Sequence, residues 1–450
     1  MILWRAITIW LMAASTGAML LRADPPTSSS PAFPPASSTP SEPISVRDVP
    51  GTLLTWADCV RLATEGNPDL QASREALLNS DAVRMGAYSA LYPQISASFN
   101  GNRFYAGPGL YSPSNYSESF SEQVSVSQII FNGFATKGNI DQARAQLNLA
   151  FANLNGQKAS TSFSLKTAFA QLIYAEKLIT LSRNIIDIRQ NSARLVRLLY
   201  EGGSEDKGAM MLEQAELDQA VFNLNQAERN LDLSSLQLME VIGRDLPQPL
   251  VAEGELKTNP LPVQPDYKKL AVQTPLYFQR QAEVAASAAG ITIANSGWYP
   301  TITVGASANR SDVQFPLKNY GWSAGFSVSY PIFQGGATYF NVKAANAALR
   351  ESLQNLRSGT DSAITTLAED FKGLVDTQDN VRIQHELLDA TELRYKIAEA
   401  NYRNGLMSFQ DFDTITGNYV SQQESFLSAE LNAVIAEANW EQARGLGAIP

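Results

Sequence analysis

Val126-Ser127-Gln128-Ile129-Ile130-Phe131-Asn132-Gly133 is written a second time, 202 positions on, as Val328-Ser329-Tyr330-Pro331-Ile332-Phe333-Gln334-Gly335. Two further pairs flank it in the same order. Tyr92-Pro93-Gln94-Ile95 returns as Tyr299-Pro300-Thr301-Ile302, and Tyr200-Glu201-Gly202-Gly203 returns as Tyr402-Arg403-Asn404-Gly405, at offsets of 207 and 202. That period is far longer than the roughly 20–50 residues of solenoids. It implies two copies of one large supersecondary unit, 52–243 and 269–445.

Each copy reads as helix, strand, loop, strand, very long helix, tight turn, helix. In the first, a helix is expected over 55–90, with Thr55 as N-cap and a break near 67 ahead of Pro68. Tyr92-Pro93 ends it, because the residue before proline is pushed out of the helical region. Four segments then alternate with period two: 94–102, 123–129, 301–309 and 322–330. Ile95, Ala97 and Phe99 oppose Ser96, Ser98 and Asn100, and Trp322, Ala324 and Phe326 oppose Ser323, Gly325 and Ser327. The polar faces are Ser, Thr, Gly and Asn with almost no charge. Such lengths suit a tilted membrane strand of roughly 9–11 residues. Tyr92, Phe104, Tyr105, Trp298, Tyr299, Tyr320 and Tyr330 gather near the strand ends, as interfacial girdles do. Residues 105–119 and 311–321 read as surface loops.

Residues 134–200 and 337–402 contain no proline, so each can run as one helix of about 100 Å. Recurring Leu165, Phe169, Leu172, Ile179 and Ile186 suit side-by-side packing as coiled-coil-like hairpins with the helices expected near 208–243 and 409–445. The connecting segment 244–268 carries five prolines and is expected to hold little regular structure.

The 450 residues are 44% apolar and 17% charged, enough for a large core. A formal charge of −10 argues against nucleic acid, since nothing would neutralise many phosphates. One cysteine, Cys59, and one histidine, His385, exclude internal disulfides and the usual zinc ligand sets, and no cofactor or metal is expected. Residues 1–23 read as an export signal, with Arg5 ahead of an apolar run from Ala6 to Leu21. Residues 24–51 are a Pro/Ser-rich linker. Beyond them no apolar run reaches spanning length, so a mature chain that crosses a membrane must do so with strands. Four strands cannot close a barrel, and an open sheet in lipid would leave unpaired edges. Protomers must then share one barrel, and a cyclic ring of two or more subunits follows.

Tandem copies, Tyr-Pro opening each strand pair, a strand ending Phe-x-Gly and a Tyr-x-x-Gly helical tip together resemble the outer-membrane efflux protein family (TolC-like), over about 52–445. The resemblance implies a mixed α and β membrane protein. It would be a homotrimer with a 12-stranded transmembrane β-barrel, four strands per protomer, continued by a long periplasmic α-helical barrel. It would sit in the outer membrane of a Gram-negative bacterium and reach into the periplasm. Its expected partners are a periplasmic adaptor, an inner-membrane transporter and outer-membrane lipid. The implied work is that of a passive conduit in a tripartite efflux or type I secretion system.

The resemblance also points to residues. The family's periplasmic aperture tyrosine falls at Tyr402 and its first aspartate at Asp411. The second aspartate falls at Thr414, with Asp413 one residue earlier, and an arginine of closure falls at Met407. Symmetry would turn one Asp per protomer into a charged ring that focuses potential in a narrow pore. Ser408-x-x-Asp411 equally fits a capping box, and both roles can hold. Gly405 and Leu406 at the second tip, and Gly202 and Gly203 at the first, are the implied adaptor contacts; the glycines also suit helix C-caps.

Two other readings compete. Gly321-Trp322-Ser323-Ala324-Gly325 matches a nucleophile elbow with His385 downstream, but the elbow needs a helix straight after the serine, and here a strand continues. A structural or adaptor-like coiled-coil periplasmic protein would explain the helices but not four alternating strands. Cys59, within an apolar-periodic run, reads as a packed helix residue.

Overall fold

The computed structural model of the chain describes residues 52–108, 115–243 and 250–450. The export signal and the Pro/Ser-rich linker expected over 1–51 lie outside the described residues.

The elements run β1 (Thr52–Thr55), α1 (Trp56–Gly66), α2 (Pro68–Ala87), β2 (Gln94–Ala106), β3 (Asn115–Asn132), α3 (Ala135–Glu201) and α4 (Lys207–Ile242). They continue β4 (Leu250–Glu253), α5 (Tyr267–Ala271), α6 (Pro275–Asn295), β5 (Thr301–Asp312), β6 (Asn319–Ser329), α7 (Ala337–Arg403) and α8 (Phe409–Ala443). The fold is mixed α and β. Thr55 caps α1 by accepting from the Asp58 N–H, and Asn67 caps α2 by accepting from the Leu70 N–H. The break before Pro68 thus falls where the sequence places it.

β2, β3, β5 and β6 form one antiparallel sheet in that order. The two halves of the chain meet at β3–β5, and β2 and β6 are the edges among the described residues. The register aligns Ser96, Ser125, Ser307 and Ser323 in one row across all four strands. Ser96 Oγ lies 2.8 Å from Ser125 Oγ, and Ser307 Oγ 3.0 Å from Ser323 Oγ. The next row, Ala97, Val124, Ala308 and Trp322, points to the opposite face, as the pleat requires. The apolar face lies open, with Trp322 and Phe326 each 78% exposed. The strands are longer than the alternation predicts, 13 residues for β2 and 18 for β3. Arg103 pairs with Glu118 at 3.2 Å and Arg310 with Glu122 at 3.7 Å, so the charges beyond the alternating stretches are matched between strands.

α3 and α7 have 67 residues each, which is about 100 Å of helix. Each folds back through a tight turn onto the shorter helix after it, making hairpins α3–α4 and α7–α8. The main core packs the middle of α3 (Leu165, Phe169, Leu172) against α1, α2 and the end of α4. Cys59 is fully buried there, and burial pushes its thiol up to about 11, so it is a packing residue. No helix among the described residues is long and apolar enough to cross a membrane.

The described part of the connecting segment holds little regular structure, as expected, apart from two short elements at its ends. Leu250–Glu253 pairs in parallel with Thr52–Thr55, and Tyr267–Ala271 adds a short helix; residues 244–249 lie outside the described residues. Glu176 on α3 accepts from the Ala252 N–H at 2.9 Å, and Glu437 on α8 accepts from Asn259 Nδ2 at 2.6 Å. Long-range strand pairing and carboxylates on distant helices, not local periodicity, order this proline-rich stretch.

Candidate functional site at the paired helix tips

Both hairpins turn in the same way. At the first, the Gly203 N–H donates to Tyr200 O (2.9 Å) and the Ser204 N–H to Leu199 O (2.8 Å). At the second, the Gly405 N–H donates to Tyr402 O (3.0 Å) and the Leu406 N–H to Asn401 O (2.9 Å). These are Schellman closures, which need a left-handed residue at the position after the cap. Gly203 and Gly405 supply it, at φ +78° and +70°. Gly202 is the cap itself, right-handed at φ −77°, where Asn404 stands in the second tip. The two first-tip glycines are therefore not equivalent.

The next helix then starts on a capping side chain. Asp206 accepts from the Ala209 N–H at 2.8 Å. Ser408 Oγ accepts from the Asp411 N–H at 3.2 Å and donates to Asp411 Oδ2 at 2.7 Å, so Asp411 does take part in an N-terminal cap.

Tyr402 and Tyr200 share a sequence motif but not a setting. Tyr200 is exposed, whereas Tyr402 is 1% exposed in a small core with Phe412, Val196, Ala209 and Ala398. The Tyr402 ring stacks on Phe412 at 4.6 Å with 8° between planes. Its hydroxyl donates to Glu205 Oε1 of the first tip at 3.1 Å. Burial, then the neighbouring Glu205 carboxylate, pushes the phenol well above its ordinary range, so it stays a donor. Met407 packs against the same core.

The remaining aperture candidates divide between two faces of α8. Asp411 and Thr414 are exposed, one turn apart, and the Thr414 hydroxyl is spent on Gln410 O at 2.8 Å. Asp413 turns inward to α3 and meets Arg189 Nη1 at 3.3 Å. Leu406, 76% exposed, is the most prominent apolar side chain of the second tip.

Four residues of this end escaped the sequence reading: Arg189, Glu205, Glu213 and Glu216. Arg189 was detectable, since it interrupts the small and apolar stripe Ser182, Ile185, Ser192, Val196 on α3. Among the described residues no group of His, Cys, Asp and Glu is disposed to hold a metal ion.

The serine of the Gly-x-Ser-x-Gly match lies inside β6, hydrogen-bonded sideways in the serine row, and not at a strand-to-helix turn. His385 lies exposed on α7, with Nδ1 3.3 Å from Asp389.

A family model described as outer membrane efflux protein matches residues 59–244 and 269–446. The chain is 21% identical over 378 residues to the outer membrane efflux protein BepC of Brucella suis, covering 83% of this chain and 81% of that one. Its fold is similar to the CmeC outer membrane channel of Campylobacter jejuni, with TM-score 0.76, 16% identity and coverage of 86% and 85%. It is also similar to the open state of the MtrE outer membrane channel of Neisseria gonorrhoeae, with TM-score 0.75, 19% identity and coverage of 87% and 89%.

Proposed function

The chain belongs to the outer membrane efflux protein family, and on that premise we propose how this outer-membrane efflux channel is assembled and gated. The assembly is a homotrimer built from two tandem copies of one unit per chain. Edge β6 of one protomer pairs with edge β2 of the next, giving twelve strands and a barrel without free edges. The row Ser96, Ser125, Ser307, Ser323 then faces the lumen, and the row Ala97, Val124, Ala308, Trp322 faces lipid. The carrying observation is this sheet, with two edges unpaired among the described residues, one small-polar face, and one exposed face that is apolar as far as the Arg103–Glu118 and Arg310–Glu122 pairs near its end.

Below the barrel, α3, α4, α7 and α8 of three protomers form a periplasmic tube. Exposed Leu387, Leu393 and Ile397 on α7 support a neighbouring helix against that face. The tips close the tube. The Tyr402–Glu205 bond ties the second hairpin to the first, Asp411 contributes a ring of charge, and Thr414 and Asp413 flank it. A periplasmic adaptor seats on Gly202, Gly203, Gly405 and Leu406, and an inner-membrane transporter supplies the energy. Substrates pass along a small-polar wall without chemistry on them.

Conductance of the purified, reconstituted protein in planar bilayers tests this. The expected result is discrete, mostly closed, cation-preferring channels from a species of trimeric mass. A folded, inserted trimer that never conducts overturns the conduit.

A further inference from the structure

α3 carries its cations toward α8 at Lys166, Lys177 and Arg189, spaced 11 and 12 residues apart. Three helical turns take about 11 residues, so Lys166 and Lys177 fall along one face, and Arg189 lies about a third of a turn further round. Each finds acid on α8, which runs antiparallel. Lys166 lies 3.1 Å from Glu437 and 2.9 Å from Glu441, Lys177 lies 3.3 Å from Glu430, and Arg189 lies 3.3 Å from Asp413. This seam joins the first hairpin to the second along much of its length.

The rung nearest the tip is built differently. Arg189 is buried, and besides Asp413 it meets Glu216 at 3.2 Å and Glu213 at 3.6 Å, both on α4. One cation therefore serves three carboxylates from two helices. Glu213 is 0% exposed, and among the described residues neither of its carboxylate oxygens has a hydrogen-bond partner. The charged and titratable groups that face it are Arg189 from α3, Asp413 from α8, Tyr395 and Tyr402 from α7, and Glu216 from its own helix. All four helices of the tip region converge on this carboxyl.

We propose that Arg189, Glu213, Glu216 and Asp413 form a second latch between the hairpins, closed when Glu213 holds a proton and loosened when it loses it. The inference rests on the tips being the gate. A neutral Glu213 leaves Arg189 to bridge Glu216 on α4 and Asp413 on α8. An ionised Glu213 competes for the guanidinium and repels both of its partners inside a region shielded from water.

Burial is the main cause of the shift in Glu213, which rises from 4.5 to about 7; Arg189 opposes it, and Asp413 and Glu216 reinforce it. A released, solvated carboxyl returns toward 4.5. The latched state thus binds the proton more tightly and gains as pH falls. The gain begins near pH 7, reaches up to about tenfold per pH unit for one proton, and is complete below about 4.5.

Hydrogen–deuterium exchange of the full-length protein, followed over 409–420 at pH 5.5 and pH 8 and corrected for intrinsic amide chemistry, reads the latch without requiring conduction. Wild type should exchange several-fold faster at pH 8. Glu213→Gln, isosteric with the protonated acid, should be protected at both pH values, and Arg189→Gln should be fast at both. A Glu213→Gln protein with the wild-type pH dependence, or an Arg189→Gln protein with wild-type protection, overturns the latch even if the channel conducts. Latched exchange in a protein that never conducts would sink the conduit proposal and leave the latch standing.

Discussion

The hydroxyl of Tyr402 donates to Glu205 Oε1 at 3.1 Å, joining the turn of the second hairpin to the turn of the first. Tyr402 is held for that contact by its stack on Phe412 at 4.6 Å, so ring packing aims the donor. Phe412→Ala removes a ring only 1% exposed and should cost about 3–5 kcal/mol locally. Hydrogen exchange over 395–416 should rise sharply in that variant while the sheet stays protected. Unchanged protection would mean the stack does not order the tip.

The glycines of the first tip should separate under substitution. Gly203→Ala forces a Cβ onto φ +78° and should destabilise the turn by about 1 kcal/mol. Gly202→Ala keeps φ −77°, and its Cβ would meet Leu198 O at 3.4 Å, an ordinary contact. It should be neutral or slightly stabilising, because the unfolded chain loses freedom. Local exchange at residues 198–209 distinguishes them, and equal effects would contradict the closure described for this turn.

Asp411 can be tested as cap and as ring by paired variants. Asp411→Asn keeps an oxygen that accepts from the Ser408 hydroxyl but loses the charge. Asp411→Ala loses both. Reversal potentials in a salt gradient should show cation preference weakened alike in both variants, and only Asp411→Ala should fray the start of α8. Selectivity retained in Asp411→Asn would leave Asp411 as a cap alone.

The two faces of the sheet can be read chemically. Cys59 is buried with its thiol pushed up to about 11, so it contributes little background labelling. Ser323→Cys should react with a charged, water-soluble thiol reagent, and Trp322→Cys only with a lipid-soluble one. The reverse pattern would invert the assigned lumen.

Much of this architecture is legible because its periods are long and local. Alternation located all four strands of the sheet, and the absence of proline located both 67-residue helices. What escaped depends on distant partners. The start of β3, residues 115–119, reads as loop from its polar composition until it is seen paired with 102–106 of β2. β1 and β4 are four residues each and pair across nearly 200 positions, too short for any period to register. At the tips, the family resemblance is what points to Tyr402 and Asp411. Nothing in the sequence turns Asp413 toward Arg189 or chooses Glu205 as the acceptor, because those contacts depend on how the two hairpins pack.

The most direct test is the open probability of Tyr402→Phe beside wild type in planar bilayers at one pH and salt concentration. The variant keeps the stack on Phe412 and loses only the hydroxyl, a hydrogen bond to a charged group worth roughly 1.5–3 kcal/mol. A gate held by this bond predicts open probability raised at least about tenfold, with unchanged single-channel conductance. Channels that open no more often than wild type would contradict the claim that the Tyr402–Glu205 contact holds the tips closed.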